Sequence, residues 1–282
     1  FAPLTDADTA NGTAPWQPLA PSPINAEKRF YPPKEMDRDD IRRILEKFRE
    51  AARRSMDAGY QICEVHGAHG YLLHSFLSPV SNQRQDAYGG DREARMRLPL
   101  EVAEVVRDAW PNDLPVFYRI SCVDGEGGAW DLDDSIAFAK ALKDRDISLI
   151  DCSSGGITGD SDMPLVPRVP GFQVPFSDRV RREAGLPTIA VGLITEPRQA
   201  EDILQAGKAD MVALARELLW HADWPAHAAM ELGVTDAHGM MPHEYAHRLR
   251  QREQAKEMPI NQGGVETAAA YAHHLGKGAW ET

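Results

Sequence analysis

Five short apolar segments, each followed by a helix-like stretch, place the strongest constraint on the fold of this 282-residue chain. The segments are rich in residues that favour β-strands, and apolar side chains recur between them at the spacing of amphipathic helices. Strands that alternate with helices are joined by right-handed crossovers and pair in parallel. We therefore predict an α/β protein with a parallel sheet built from Gln61–His66, Val116–Ser121, Leu149–Ser153, Thr188–Gly192 and Met211–Ala215.

The helical stretches set the predicted domain boundaries. A first helix over Asp37–Arg54 has Asp37 or Asp39 as its expected N-cap and ends at Gly59. The later stretches are Arg97–Ala109, Asp133–Arg145, Asp178–Glu183, Pro197–Ala206, Arg216–Leu219 and Trp224–Leu232. We predict an irregular arm over residues 1–36, β/α units over residues 37–235, and a C-terminal extension and tail over residues 236–282.

The number of strand–helix units limits the possible architectures. A closed (β/α)8 barrel, the TIM-barrel fold, needs eight units, whereas five are found here. We expect the chain to supply about the last five units of such a barrel and to continue from an N-terminal part, before Phe1, that holds the others. A smaller and complete doubly wound sheet is the less favoured alternative.

Composition excludes several classes of function. The formal net charge of −12 and the pI near 5.3 argue against nucleic acid or an anionic membrane as a partner, because both require a basic surface. Cys63, Cys122 and Cys152 lie in apolar segments without C-x-x-C spacing, which predicts buried reduced thiols and neither disulfides nor a metal site. The absence of a long apolar run and of a signal-peptide pattern predicts a cytoplasmic protein.

One polar motif follows the first predicted strand, in HGAHGYLLHSFLSPVSNQRQDAYGG over residues 66–90. His66 and His69 lie three residues apart at the carboxyl end of the strand, and Tyr71 follows. In parallel α/β folds this end of the sheet is where ligands bind. The motif predicts a site that can hold and protonate a small polar ligand. The competing interpretation is a polar network that merely caps the strand.

Other strand ends carry further candidates. Arg119 interrupts an apolar strand, where a charge is costly unless it binds a ligand or forms a buried ion pair with an acidic residue. The loops after the last two strands of a barrel form phosphate sites, which makes Gly192, Ala215 and Arg216 candidates. Ser153 and Gly155 end the third predicted strand, where a simple glycine-rich turn explains them equally well.

The motif over residues 66–90 resembles the old yellow enzyme family, most closely its bacterial NADPH dehydrogenases and xenobiotic reductases, and the resemblance extends over residues 14–250. It implies an FMN-binding TIM barrel that uses NAD(P)H as a transient co-substrate. His66 and His69 would donate hydrogen bonds to a carbonyl or nitro oxygen of the substrate, and Tyr71 would deliver a proton. Arg119 would contact the N1 and C2 carbonyl side of the flavin.

The resemblance also assigns the remaining candidates. Gly192, Ala215 and Arg216 would hold the FMN phosphate, with Ser153 and Gly155 beside the cofactor. Phe172 would form a wall of the substrate pocket. A segment containing Met240, Met241, Pro242 and Tyr245 would reach a neighbouring subunit, with Arg248 or Arg250 in trans, which implies a homo-oligomer. The chain departs from the family at Ala94, where a local cap is expected to be lost, and at Ala215, where the family usually has glycine.

The leading functional hypothesis is an FMN-dependent NAD(P)H oxidoreductase that transfers hydride from reduced flavin to an activated alkene, such as an enone or an enoyl thioester. The lack of a G-x-G-x-x-G element agrees with a nicotinamide that binds transiently rather than in a Rossmann domain. Two alternatives remain. One is the reductase-like C-terminal module of a fused flavin monooxygenase acting on aromatic acyl-CoA, and the other is a flavin-free barrel scaffold.

Overall fold

The computed structural model describes residues 7, 10–12, 17–25 and 32–256. Its strands, in chain order, are β1 (Leu19–Ala20), β2 (Lys34–Glu35), β3 (Cys63–Gly67), β4 (Val116–Ser121), β5 (Leu149–Ser153), β6 (Thr188–Ala190) and β7 (Met211–Val212). Its α-helices are α1 (Arg38–Asp57), α2 (Leu72–Leu77), α3 (Arg92–Ala109), α4 (Leu132–Lys143), α5 (Val174–Ala184), α6 (Pro197–Gln205), α7 (Arg216–Trp220), α8 (Trp224–Glu231) and α9 (His243–Lys256). A 3₁₀ helix covers Ala237–Met240.

A five-stranded parallel sheet, in the order β3-β4-β5-β6-β7, lies at the centre of the fold. Each strand therefore pairs with the next one along the chain, as the sequence predicted. The register aligns His66 with Arg119 and Arg119 with Asp151. Because side chains alternate between the two faces of a strand, these three aligned residues form a polar row across one face of the sheet.

The hydrophobic core contains the opposite face of the sheet and the helices. Tyr118 and Trp130 are fully buried, and each packs its ring edge-on against Phe138, at centroid distances of 5.5 and 6.4 Å. Gly67 allows this packing, since a Cβ there would lie 2.4 Å from the Tyr118 ring. Burial of each large ring contributes on the order of 2 kcal/mol of transfer free energy. The core therefore holds the carboxyl ends of β3 and β4 rigidly.

The helix ends follow the local sequence. The Asp37 side chain accepts hydrogen bonds from the N–H groups of Asp39 and Asp40, and the Asp40 carboxylate accepts one from the Asp37 N–H, so Asp37 is the N-cap of α1. Helix α3 begins at Arg92, earlier than predicted, because the Asp91 carboxylate accepts from the N–H of Ala94 at 2.8 Å. The cap that Ala94 was expected to lose is therefore supplied by Asp91.

The sequence prediction missed several elements and part of the arm. Helix α2 lies within the motif over residues 66–90, directly after Tyr71, and the 3₁₀ helix and α9 lie in the predicted C-terminal extension. The arm is not wholly irregular: β1 pairs in parallel with β2, and Arg84 donates to the carbonyl groups of Pro21 and Met36. These contacts fasten the end of the arm to the loop after α2. The tail beyond residue 256 lies outside the described residues.

The chain divides into two compact units, residues 1–217 and the part that begins at Leu218. The sheet belongs to the first unit. In the second unit, Arg250 forms a two-pronged ion pair with Asp236, at 2.7 Å for both contacts. The three cysteines are unpaired; Cys122 and Cys152 are buried as predicted, whereas Cys63 is only partly buried. Among the described residues, no helix combines the length and apolar character needed to cross a membrane.

Candidate active site

Three ring side chains meet at the carboxyl end of β3, where the motif predicted a site. The ring centroid of His66 lies 5.2 Å from that of His69 and 5.4 Å from that of Tyr71. His66 still belongs to the strand, whereas His69 lies in the following turn and Tyr71 is the N-cap residue of α2. The Tyr71 side chain is 59% exposed. The structure thus brings the three predicted residues together on an accessible surface.

The turn after β3 gives His69 an unusual backbone conformation. Its φ is +60° and that of Gly70 is +76°, so both residues are left-handed. For a non-glycine residue this costs roughly 1–2 kcal/mol and persists only where neighbours hold it. The His69 N–H donates to Ser121 Oγ at 2.9 Å, and Ser121 donates to the carbonyl of Gly155 at 2.7 Å. A Cβ on Gly70 would lie 2.3 Å from the Gly156 carbonyl oxygen, so only glycine fits there.

Both imidazoles are uncharged at neutral pH. Burial, and to a lesser extent the positive charge of Arg119, lower the pKa of His69 to about 4. The pKa of His66 is also lowered, first by burial and then by Arg119 and His74. Each ring therefore offers one donor and one acceptor nitrogen to a ligand. Neutral imidazoles of this kind can donate hydrogen bonds to an oxygen that develops negative charge.

Ser153, predicted to lie beside the cofactor, contacts His69 directly. The Oγ of Ser153 is 2.6 Å from Nε2 of His69, whereas its other polar neighbour, Oε1 of Gln173, is 3.5 Å away. Nδ1 of His69 then has no hydrogen-bond partner among the residues that the structure describes. Nδ1 can donate to a ligand only in the tautomer in which Ser153 donates to Nε2. The Ser153 hydroxyl therefore controls which ring nitrogen of His69 is a donor.

Arg119 lies in the middle of the polar row. It forms an ion pair with the acidic residue Asp151, which was the alternative to ligand binding that the sequence left open. Its Nε is 3.2 Å from Oδ2 of Asp151, which is 5% exposed, although the N–H is not aligned for a hydrogen bond. The Arg119 side chain itself is 28% exposed. Burial raises the pKa of Asp151 and, together with the charge of Asp151, raises that of Glu64 to about 7. Arg119 is thus the cation among two carboxyl groups and two imidazoles.

The candidate phosphate residues follow β6 and β7, which end earlier than predicted. The N–H of Ala213 donates to the carbonyl of Ala190, so the two following loops are neighbours. Gly192 has a φ of +122°, and a Cβ on it would lie 3.0 Å from the ring of Phe172. Ala215 and Arg216 are exposed where α7 begins. The structure brings Gly192 together with Phe172, and it places Arg216 at the end of the adjacent loop.

Sequence reasoning missed three buried polar residues beneath the site. Gln173 joins two strand ends, since it accepts from Ser154 at 2.7 Å and donates to the Val191 carbonyl at 3.1 Å. His74 and Asp124 are fully buried and 2.8 Å apart. Burial alone would raise the pKa of Asp124, but polar contacts with His74 and neighbouring donors lower it. A histidine five residues after His69 was the available signal, and it was read as part of the motif only.

Comparison with known proteins agrees with this geometry. The profile of the NADH:flavin oxidoreductase / NADH oxidase family matches residues 5–234. The NADPH dehydrogenase of Geobacillus sp. (strain WCH70) is 48% identical over 218 residues, which are 77% of this chain and 62% of that protein. The chain therefore spans a little under two thirds of the length of this relative.

Solved structures show the same family fold. The old yellow enzyme homologue from Zymomonas mobilis has a TM-score of 0.64 at 25% identity, over 81% of this chain and 64% of that one. A 2-naphthoyl-CoA reductase in complex with 2-naphthoyl-CoA has a TM-score of 0.63 at 26% identity, over 70% of this chain and 30% of that one. The predicted resemblance and the fold of five parallel β/α units are confirmed. This chain belongs to the NADH:flavin oxidoreductase / NADH oxidase family, which includes the old yellow enzymes.

Proposed function

We propose that this chain carries the flavin-binding and substrate-binding residues of an FMN-dependent NAD(P)H oxidoreductase of the old yellow enzyme type. The convergence of His66, His69 and Tyr71 at one strand end, beside the Arg119 row, is the observation that carries the proposal. Family membership supports the reaction class. The proposed acceptor and cofactor contacts rest on the residues of the site.

The residues around the strand ends suit FMN. Arg119 is partly exposed and lies where a cation would favour negative charge on the N1 and C2 carbonyl side of a flavin. The exposed guanidinium of Arg216 and the backbone near Gly192 and Ala215 would hold the phosphate, as loops after the last barrel strands do. Gly155 would lie beside the ring system. FMN, when bound, takes hydride from NAD(P)H and passes it to an acceptor.

The two imidazoles and the tyrosine define the acceptor that we propose, an activated alkene such as an enone or an enoyl thioester. Hydride addition to its β carbon places negative charge on the carbonyl oxygen. Donors fixed by the protein stabilise this charge more than they stabilise the substrate, which lowers the barrier. His66 and His69 would be these donors, and Tyr71 would protonate the neighbouring carbon. Phe172 is proposed as a pocket wall.

Two other functions compete with this one. One is a module of a fused monooxygenase on aromatic acyl-CoA, of which the likeness to a 2-naphthoyl-CoA reductase supports only the acyl-CoA acceptor. Its identity to this chain is close to that of the old yellow enzyme homologue and does not favour it. A flavin-free scaffold would have no physical reason to keep the imidazole pair together with Arg119 and Arg216.

The second unit supports a proposal about assembly. Met240 and Tyr245 are 60% and 62% exposed, as expected of a segment that packs against a second copy of the chain. We propose a homo-oligomer formed through this segment. We also propose that the protein, which has an acidic composition, is cytoplasmic.

Turnover of 2-cyclohexen-1-one tests the proposed reaction. The polypeptide, loaded with FMN, is given NADPH or NADH under nitrogen, and cyclohexanone is measured by gas chromatography. We expect one cyclohexanone for each nicotinamide oxidised. If benzoyl-CoA were consumed and the enone were not, the acyl-CoA module would replace the proposal. If FMN did not bind, the scaffold would replace it.

A further inference from the structure

A buried histidine and aspartate lie directly beneath the turn that presents His69. His74, in α2, and Asp124, in the loop after β4, are both inaccessible to solvent. Nε2 of His74 is 2.8 Å from Oδ1 of Asp124, within hydrogen-bonding distance although not well aligned. The second oxygen of Asp124 accepts from the Ser78 hydroxyl at 2.6 Å and from the N–H groups of Ala129 and Trp130 at 3.0 Å. Asp124 is thus fixed from several directions.

The other nitrogen of His74 contacts the turn itself. The N–H of Gly70 donates to Nδ1 of His74 at 2.9 Å. Because Nδ1 accepts, the ring proton is on Nε2, where it faces the Asp124 carboxylate. Asp124 therefore selects the tautomer of His74 that can hold the Gly70 N–H. A carboxylate that fixes the tautomer of a histidine in this way also fixes the group that hydrogen-bonds to the other ring nitrogen, here the N–H of Gly70.

The turn needs such support, since His69 and Gly70 are both left-handed. Ser121 holds the N–H of His69, and Gly156 packs against Gly70. His74 supplies the side-chain acceptor for the N–H of Gly70. Loss of that contact would leave the Gly70 N–H without its partner and allow the turn to relax, which would move the His69 imidazole.

We propose that His74 is a positioning residue that, held in one tautomer by Asp124, fixes the turn at His69 and Gly70 and so directs the His69 imidazole toward the ligand. Its effect on ligand binding rests on the function proposed above. Its effect on the turn does not.

Three variants of the FMN-loaded chain test the effect on the ligand. His74→Phe keeps the ring shape but removes both nitrogens, and His74→Asn restores an acceptor near the position of Nδ1. Ser177→Ala removes a buried hydroxyl that bonds to the carbonyl groups of Val174 and Lys208, away from the turn, and serves as the control. The probe is p-hydroxybenzaldehyde, whose stacking on the flavin is followed by long-wavelength charge-transfer absorbance.

We expect His74→Phe to weaken p-hydroxybenzaldehyde binding by about tenfold or more at unchanged FMN content. His74→Asn should recover most of the affinity, and Ser177→Ala should lower the melting temperature without weakening the probe. A folded His74→Phe protein that binds the probe within twofold of the wild type would overturn the proposal.

Nitrogen NMR of the wild-type chain tests the turn independently of flavin and of variant folding. We expect the His74 ring to carry its proton on Nε2 and the Gly70 amide to be protected from exchange. A proton on Nδ1 of His74 would overturn the proposal. If the wild type held the Nε2 proton but bound neither FMN nor the probe, the proposed function would fail while the role of His74 in the turn would stand.

Discussion

At the scale of single residues, the two imidazoles of the site are held in different ways. His66 belongs to a strand, and its orientation follows from the sheet. His69 lies on a left-handed turn, and its Nε2 is already in contact with Ser153. Both have lowered pKa values, so neither requires a proton from solution to be a donor at neutral pH. The site can therefore work across the neutral range without a change in its histidine charges.

Removal of both imidazoles should separate ligand binding from folding. His66→Ala combined with His69→Ala is expected to abolish the charge-transfer absorbance with phenols. It should slow alkene reduction by on the order of 10²-fold or more, as loss of oxyanion donors does. Stopped-flow absorbance measures both effects. The control is His221→Ala with His227→Ala, a second pair of adjacent imidazoles, which is exposed and lies in the other unit. Unchanged phenol binding in the first variant would remove both residues from the site.

Glu64 makes the stability of the fold depend on pH. Burial and the neighbouring Asp151 raise the pKa of its carboxyl group to about 7 from an ordinary value of 4.5. The folded state thus holds this proton more tightly than the unfolded chain does. The resulting stability is complete below about pH 4.5 and is lost as the pH rises through 7. Glu64→Gln should therefore raise the melting temperature relative to the wild type more at pH 8 than at pH 5.

Scanning calorimetry at the two pH values provides the test. Glu231→Gln, at the exposed end of α8, removes a surface carboxyl group and serves as a matched control. A Glu64→Gln effect that did not change with pH would mean that the carboxyl group titrates normally.

At the scale of elements, the sequence predicted the strands and most helices because their apolar periodicity is local. Val116–Ser121 and Leu149–Ser153 were predicted with the bounds that the structure has. Strands β6 and β7 are shorter than predicted, since the apolar residues that follow them pack in loops. Helix α2 was missed because glycines and a proline surround its six residues, and α9 was missed because it has no clear apolar face. Short or weakly amphipathic helices depend on tertiary contacts that periodicity does not show.

The resemblance to the family leads us to expect glycine at position 215, in the loop after β7. Ala215 precedes α7, and its methyl group would keep a phosphate further from the backbone than glycine does. Ala215→Gly is therefore expected to lower the dissociation constant of FMN, measured by quenching of flavin fluorescence. Ala206→Gly, at the end of α6 and so near the amino end of β7, away from the proposed phosphate site, should leave it unchanged. Equal or weaker FMN retention in Ala215→Gly would count against the phosphate assignment.

At the scale of the whole molecule, the parallel sheet brings residues from distant parts of the chain into one site. The motif identified His66, His69 and Tyr71 because they are close in sequence, and Arg119 stood out as a charge within an apolar strand. The contact of Ser153 with His69 joins residues 84 positions apart, and no local pattern could reveal it. The same holds for Asp124 beneath His74. Such contacts depend on strand register, which only the assembled sheet defines.

The central claim, that this site binds FMN and uses it to pass hydride from a nicotinamide to an alkene, is tested most directly by the visible spectrum of the FMN-treated chain under anaerobic NADPH. We predict a yellow protein whose absorbance near 450 nm, the usual flavin band, is bleached by NADPH and returns when 2-cyclohexen-1-one is added. A protein that stays colourless after incubation with FMN, or whose bound flavin is not reoxidised by the enone, would contradict the account.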